Sequence, residues 1–325
     1  MQVIRDAQKS ADVPYGVVAT IGNYDGIHRG QRKILEKVVE RARARGVKAV
    51  VVTFDPHPVS VLRPEMAPPL LTLDRQREKL LADAEIDALL VVRFNRELAN
   101  TSPEAFVRDF LHGSLAIEEV YVGSEFAFGK DREGSVELLA TLGEELGFEV
   151  HGVEEELHRG EVISSTRIRR AVDEGELSLV MDMLGRPYSL YGTVVRGDRM
   201  GMRLGWPTIN LQPENEHLPA QGVYCGRVRF DKLPGVFDCV VNVGTRPTVY
   251  ENYQRVVESH ILGFSAGVYG EKVEVSFYKR IRDERLFPSV MDLSAQIGRD
   301  VETTREYFSA RRRWDAEMAG ESAER

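Results

Sequence analysis

The chain is expected to fold as an α/β doubly wound sheet followed by an antiparallel sheet or small barrel and a terminal helix. Three observations carry that expectation. The first half alternates short, continuously apolar runs with amphipathic helical stretches. From about Tyr188 the runs become strand-length, rich in β-branched and aromatic residues, and closely punctuated by Gly, Pro, Asn and Asp. A long amphipathic stretch then closes the chain. At 325 residues the length suits two domains, and Gly185-Arg186-Pro187 marks the expected boundary, giving domains 1–185 and 186–325.

Val17 to Ile21 reads as a strand running into a glycine-punctuated loop. A helix is expected from about Gln31 to Arg45, with Ile34, Leu35, Val38, Val39 and Ala42 on one face. Lys48 to Phe54 is continuously apolar, as a buried parallel strand is, and Ala88–Val92 and Glu119–Val122 repeat the pattern. Ser102-Pro103 reads as an N-cap followed by proline at the first helical position. Ligands of such sheets bind at the carboxyl ends of the strands. In the second half, strands are expected at Tyr188–Val195, Gly222–Phe230, Phe237–Val243, Val256–Leu262 and Lys272–Tyr278. The terminal helix should run from about Val290 to Arg312 with Ser289 as N-cap, and Met318–Arg325 should fray.

Hydrophobic residues make up 42% of the chain and charged residues 29%, the mixture of a soluble globular protein. A net charge of -8 argues against nucleic acid as a partner, because phosphate-backbone binding needs a strongly basic face. Cys225 and Cys239 are too few for a disulfide framework, lack metal-ligand spacing and read as buried thiols. The longest apolar runs, such as Ala49–Val52, fall far short of a membrane span, and Met1–Asp12 lacks a signal-peptide core. A reduced, cytoplasmic protein acting on small molecules is expected.

Strand one leads into Gly22-Asn23-Tyr24-Asp25-Gly26-Ile27-His28-Arg29-Gly30-Gln31. Glycines and a histidine between a strand and a helix N-terminus suit a phosphate site, because backbone amides approach the oxygens and the helix dipole favours negative charge. A turn bearing a surface histidine would look the same. Downstream, Ser164, Ser165, Thr166 and Arg167 open another helix, either as a capping segment or as a second phosphate clamp. Together the two segments resemble the bacterial FAD synthetase type of nucleotidyltransferase. Thr53-Phe54-Asp55-Pro56-His57-Pro58 resembles that family's loop after the second strand, and Val122-Gly123 with Phe128-Gly129 its flavin-side segment.

That resemblance implies a Rossmann-like nucleotidyltransferase domain in which FMN phosphate attacks the α-phosphorus of ATP and pyrophosphate leaves. His28 would be catalytic. Gly22, Asp25, Gly26, Gly30, Gln31, Ser164, Ser165, Thr166 and Arg167 would bind ATP phosphates, and Phe54 and Phe128 the flavin. Gln31 stands where the family has its second histidine. Its amide donates a hydrogen bond without bringing a charge, so the alternative is a half that binds nucleotide or flavin but transfers adenylate slowly.

The second half carries Gly197, Gly201 and Arg203 ahead of Pro207-Thr208-Ile209-Asn210. Thr208 and Asn210, two residues apart on an extended segment, point the same way and offer the oxygen ligands that magnesium on ATP requires. A hairpin whose glycines satisfy turn geometry would also fit. The rest of the half resembles the riboflavin kinase family over about residues 188–308. The carriers are Gly222-Val223-Tyr224, Val241-Asn242-Val243-Gly244-Thr245-Arg246-Pro247-Thr248, Glu258-Ser259-His260, Tyr269-Gly270, Ile281-Arg282-Asp283-Glu284 with Phe287, and Gln296-Ile297 with Asp300.

This second resemblance implies an antiparallel Greek-key β-barrel with Thr208 and Asn210 as metal ligands and Glu258 as the general base. Gly197, Gly201, Arg203 and Asn242 would bind ATP, and Arg282 or Arg285 would anchor the flexible loop beside the flavin as flavin-site residues. Both together imply a bifunctional enzyme that uses Mg2+ with ATP and has riboflavin, FMN and FAD as substrates and products. The alternatives are a riboflavin kinase with an impaired adenylyltransferase half, or a flavin-binding regulatory protein.

Overall fold

In the computed structural model of the chain, which describes residues 1–7, 12–197, 200–247 and 253–323, a parallel sheet is built from β1 (Gln2–Arg5), β2 (Val17–Ile21), β3 (Lys48–Asp55), β4 (Ala88–Arg93), β5 (Ile117–Gly123) and β6 (Glu149–Val153). Their order is β1-β4-β3-β2-β5-β6, with every described pairing parallel. This sheet belongs to the first of two units, Met1–Ser165, and the second comprises Thr166–Arg325. The chain leaves β2 toward β3 on one side and returns to pair β5 on the other. The loop after β2 therefore sits at the point where strand order reverses, where such sheets bind ligands.

Strand period puts alternate residues on opposite faces, and both faces are covered. Val18, Val51 and Leu89 join Leu35, Val38 and Ala42 of α1 (Arg29–Arg45) and Leu81 of α2 (Asp74–Asp83) in one core. Ala19, Val50, Val52 and Leu90 join Phe106, Val107, Phe110 and Leu111 of the π-helical segment Phe106–Ser114, with Leu139 and Leu142 of α3 (Val136–Leu146), in the other. Ser102 does cap the turn before that segment, accepting from the Ala105 N–H at 3.2 Å with Pro103 at its first position. The small hairpin β7 (Leu157–His158) and β8 (Glu161–Val162) precedes the end of the unit.

An ion network ties α1 to β5. Glu119, whose side chain has no exposed surface, accepts from Arg41 Nη2 at 2.7 Å, from Arg45 Nε and from the Tyr121 hydroxyl at 2.8 Å. The Arg41 hydrogen bonds, with Tyr121 and Arg45 adding to them, outweigh burial and hold its carboxyl down at about 2. A depressed carboxylate contributes stability that is present above its unfolded pKa of about 4.3 and is lost as pH falls through the folded value. Glu119→Gln is thus expected to lower the melting temperature at pH 7, with the gap to the parent shrinking as pH is lowered from about 4 toward 2. Thermal melts of both proteins across that range check it.

The second unit begins with α4 (Ser165–Asp173), whose first residue closes unit one, and α5 (Leu177–Leu184), which packs on β9 and β14 and ends at the left-handed Gly185. A closed antiparallel barrel follows, comprising β9 (Tyr188–Val195), β10 (Ile209–Pro213), β11 (Gly222–Phe230), β12 (Phe237–Pro247), β13 (Tyr253–Ile261) and β14 (Lys272–Arg282) in the order β10-β13-β12-β11-β14-β9. The hydrogen-bond ladder carries β12 and β14 past the ends expected from their apolar cores, to Pro247 and Arg282.

The terminal helix α6 (Val290–Ala323) starts where expected, with Ser289 Oγ accepting from the Asp292 N–H at 3.1 Å. It runs through Ala323 rather than stopping near Arg312. The stretch expected to fray is mostly helical, and Ala, Glu and Met there are good helix formers. Fully buried Phe308 seats α6 on the barrel, edge-on to Tyr278 at 5.0 Å and with the Arg227 guanidinium 4.4 Å above its ring. Among the described residues no helix is long and apolar enough to cross a membrane.

Candidate active sites

The loop leaving β2 is backbone-constrained. Tyr24, Gly26 and Ile27 all have positive φ (46°, 93° and 43°), although two of the three carry a side chain. Buried contacts hold them there. The Tyr24 hydroxyl bonds the Thr20 hydroxyl at 2.6 Å, and burial pushes that phenol well above its usual range. Asp25 is 3% exposed, and its carboxylate accepts from the Leu71 N–H, the Thr72 N–H and the Thr72 hydroxyl, each at 3.0 Å. The sequence suggested Asp25 as a phosphate residue. Its carboxylate instead clamps the 71–72 turn, and a negative group has no attraction for phosphate.

His28 is 8% exposed and N-caps α1 through Nδ1, which accepts from the Gln31 N–H at 3.3 Å. Gly22 and Gly30 flank the loop, half-buried. Ser165, 140 positions downstream of Asp25, donates its hydroxyl to the Asp25 carbonyl at 2.8 Å. The two distant segments are thereby joined within unit one. Ser164 is half-buried beside it, whereas Thr166 and Arg167 fall in the second unit, in the first turn of α4. The β2 loop thus combines a helix N-terminus, a buried imidazole and nearby hydroxyls, the donor set that an oligophosphate takes.

Aromatic side chains gather at the carboxyl ends of neighbouring strands. Phe54, the second-to-last residue of β3, meets Phe94, just past β4, edge to face at 5.9 Å. Phe128 follows β5, stacked on Phe126 at 5.5 Å and near Phe106 at 6.1 Å. Phe54 and Phe126 are each partly buried against the same core as buried Phe128. At the start of β5 and on β6, Glu119, Glu149 and His151 also bring ligand atoms together, but Arg41 and Arg45 already neutralise that cluster and disfavour a cation.

In the barrel, strand register assembles what sequence separates. Asn210 on β10 lies opposite Glu258 on β13, and Glu258 lies opposite Asn242 on β12. Residues directly opposite on adjacent antiparallel strands share a face, so the three side chains form one cross-strand row. All three are half-buried. Asn242 also reaches the Glu284 carboxylate, at 3.5 Å.

Thr208 stands just before β10. The loop bearing Gly197 and Gly201 lies against this segment. A Cβ on Gly197 would collide with the Asn210 amide, and one on Gly201 would strike the Trp206 carbonyl and lie 3.2 Å from the Thr208 hydroxyl. Trp206 and Pro207 are themselves pinned. The Trp206 indole donates to Ser294 Oγ of α6 at 3.0 Å, and the Pro207 carbonyl is 2.8 Å from His260 Nδ1.

Three other sequence candidates take varied roles. Arg203 is exposed on the one-turn helix Met200–Arg203. Arg282 gives its guanidinium to Asp300, at 2.8 Å from Nη2 and 3.1 Å from Nε, and to the Asp283 carbonyl at 2.9 Å. These bonds tie β14 to α6. Arg285, exposed, bonds Gln296 at 2.6 Å and lies over the Phe287 ring at 5.0 Å. Thr248 of the Arg-Pro-Thr segment lies outside the described residues.

Sequence reasoning missed three contributors. Leu71 acts through its backbone amide, which leaves no sequence signal, and Thr72 through its amide and its hydroxyl, which sits 47 positions from Asp25 with no local pattern to link them. Glu284 stood in the quoted motif, and the signal for its place was buried Gly244, whose missing Cβ leaves the room that its carboxylate fills.

Comparison with known proteins agrees with this division. Residues 10–167 match the family model described as FAD synthetase, and residues 184–308 match the one described as riboflavin kinase. Over 95% of the chain and 98% of the relative, the sequence is 37% identical to the bifunctional riboflavin kinase/FMN adenylyltransferase of Escherichia coli (strain K12). It is 36% identical to the Pseudomonas fluorescens protein of that description over 94% of the chain and 97% of the relative. Among solved structures, one described as a macrolide-efflux protein from Streptococcus pneumoniae superposes with a TM-score of 0.85 at 27% identity, covering 94% of this chain and 99% of that one.

Proposed function

The chain belongs to the family of bifunctional riboflavin kinase/FMN adenylyltransferases, and from that premise we propose that it converts riboflavin to FMN within residues 186–325 and FMN to FAD within residues 1–185. ATP is the donor in both reactions. The observation that carries the kinase assignment is the row Asn210–Glu258–Asn242, which sets a strand carboxylate between two amides beside the Thr208 hydroxyl. Buried free Cys225 and Cys239 suit a reducing compartment such as the cytoplasm.

In the kinase reaction Glu258 takes the proton of the ribityl 5′-hydroxyl as that oxygen attacks the γ-phosphorus, and the bond to the β-phosphate oxygen breaks to release ADP. The transition state of such transfers is loose, so alignment by the row matters more than the base strength of Glu258. The residues present fit magnesium. Thr208 and Asn210 are hard oxygen donors two residues apart, and Gly197 and Gly201 let the backbone close on them where a Cβ would collide. Magnesium bound there with ATP would neutralise charge on the transferring phosphoryl group.

In the adenylyltransferase reaction an FMN phosphate oxygen attacks the α-phosphorus of ATP, and pyrophosphate leaves. No covalent intermediate is required, so the work is positioning and charge stabilisation. His28 and the amides of the β2 loop would hold the phosphates, with Ser164 and Ser165 beside them, while the Phe54–Phe128 aromatics would take the isoalloxazine ring.

Thr208→Val and Asn210→Ala should each raise the magnesium concentration needed for half-maximal FMN formation by about tenfold or more, with FAD formation from supplied FMN unmoved. Magnesium titrations of the two activities check this. An unchanged kinase titration in both variants would remove the metal assignment.

A further inference from the structure

We propose that His260 is a positioning residue for the kinase metal site: its imidazole Nδ1–H holds the Pro207 carbonyl and so sets where the next residue, Thr208, presents its hydroxyl. This rests on reading Thr208 and Asn210 as the magnesium ligands. Strand β10 begins at Ile209, opposite Ser259 of β13, and Asn210 follows opposite Glu258. One step earlier the same register would set Thr208 opposite His260, but Pro207 has no N–H with which to carry the ladder on. A side chain takes over where the backbone stops. His260 Nδ1 lies 2.8 Å from the Pro207 oxygen.

The direction of that bond follows from its chemistry. A carbonyl oxygen only accepts, so Nδ1 carries a proton, and in the neutral ring Nε2 is bare. The neighbouring residue is held as firmly. The Trp206 indole stands edge-on to the imidazole, with ring centres 5.4 Å apart and planes at 88°. It donates to Ser294 Oγ of α6 at 3.0 Å and packs against buried Val223, Val240 and Val301, while the Trp206 N–H donates to the Gly201 carbonyl at 2.8 Å. The backbone entering Thr208 is therefore fastened to α6, to the Gly201 loop and, through His260, to β13. His260 and Glu258 stand two positions apart on one face of that strand. One strand thus places both the proposed base and the tie that orients a metal ligand, as partners behind a ligand commonly do.

The test joins 15N spectroscopy of the ring nitrogens in the full chain to magnesium titrations of FMN formation. The chain has seven histidines, and the His260 signals are assigned by their loss in His260→Asn. In the wild type the neutral ring should show a protonated Nδ1 and a bare Nε2. His260→Leu removes the donor and should raise the magnesium concentration for half-maximal FMN formation about tenfold, with the KM for riboflavin little changed. Asparagine offers an amide N–H near the place of Nδ1 and nothing at the place of Nε2. His260→Asn should therefore bring the titration back toward that of the parent.

A bare Nδ1 in the wild type would overturn the proposal. So would a His260→Asn protein that titrates like His260→Leu, since the imidazole would then act through Nε2 or by its bulk and not through Pro207. Thr208→Val and Asn210→Ala, titrated alongside, separate this from the metal reading itself. Parent-like titrations in those two variants would refute the metal reading, whereas a shift in them with none in His260→Leu would refute only the role of His260.

Discussion

Glu258→Gln is expected to slow riboflavin phosphorylation by about a hundredfold, the lower end of what a general base contributes, because the transition state it serves is loose. Glutamine keeps the size of the side chain and its place opposite Asn210 and Asn242, so riboflavin and ATP should bind with nearly unchanged KM. The loss should appear in kcat alone. FAD formation from supplied FMN should proceed at the parent rate, since Glu258 belongs to the second unit and the β2 loop to the first. Initial rates of the two reactions, measured separately, check both halves of the expectation. A variant with full kinase activity would remove Glu258 as the base.

The complementary expectation concerns His28. Removing its N–H donor should cost FAD formation about a hundred- to a thousandfold, the range found when one preorganised donor to a developing anion is deleted. The residue also caps α1, and losing a cap destabilises by about 1 kcal/mol on its own. His28→Asn separates the two effects. Asparagine is a favoured N-cap and supplies the acceptor for the helix, but it has no group that reaches where Nε2 reaches. This variant should therefore melt like the parent, phosphorylate riboflavin at the parent rate and accumulate FMN. His28→Ala should lose the same activity and melt lower as well. If His28→Asn retained FAD synthesis, the imidazole would be only a cap.

Most of the architecture was legible because burial on both faces writes itself as uninterrupted apolar runs. Val17–Ile21, Tyr188–Val195 and Gly222–Phe230 have the limits their residues suggest. The edge strands β1 and β6 escaped notice, since Gln2, Arg5, Glu149 and His151 dilute the apolar signal at a sheet edge. Helix α1 starts at Arg29, two residues earlier than its apolar face suggests, because His28 serves as the cap through Nδ1 where Ser, Thr, Asp or Asn would have announced it.

The sites divide the same way. The Thr208/Asn210 spacing and the helix-start hydroxyls at Ser164 and Ser165 can be read along the chain, because strand and helix periods decide which way neighbouring residues face. What brings Asn210, Glu258 and Asn242 into one row is the register of three strands drawn from positions 210 to 258, and no local pattern encodes it. Arginines were the least legible. Arg282 and Arg285 both suit an anionic ligand by type, yet Arg282 is committed to Asp300, a partner 18 positions away on α6.

The most direct measurement is a timed product analysis by liquid chromatography of the purified chain with riboflavin, ATP and magnesium. Two sites acting in series predict that FMN appears first, without a lag, and that FAD follows as FMN accumulates. Riboflavin left unconverted, with neither product formed, would contradict the account and point to a flavin-binding protein. FMN that accumulates with no FAD would leave a kinase alone and contradict the assignment of adenylyl transfer to the first unit.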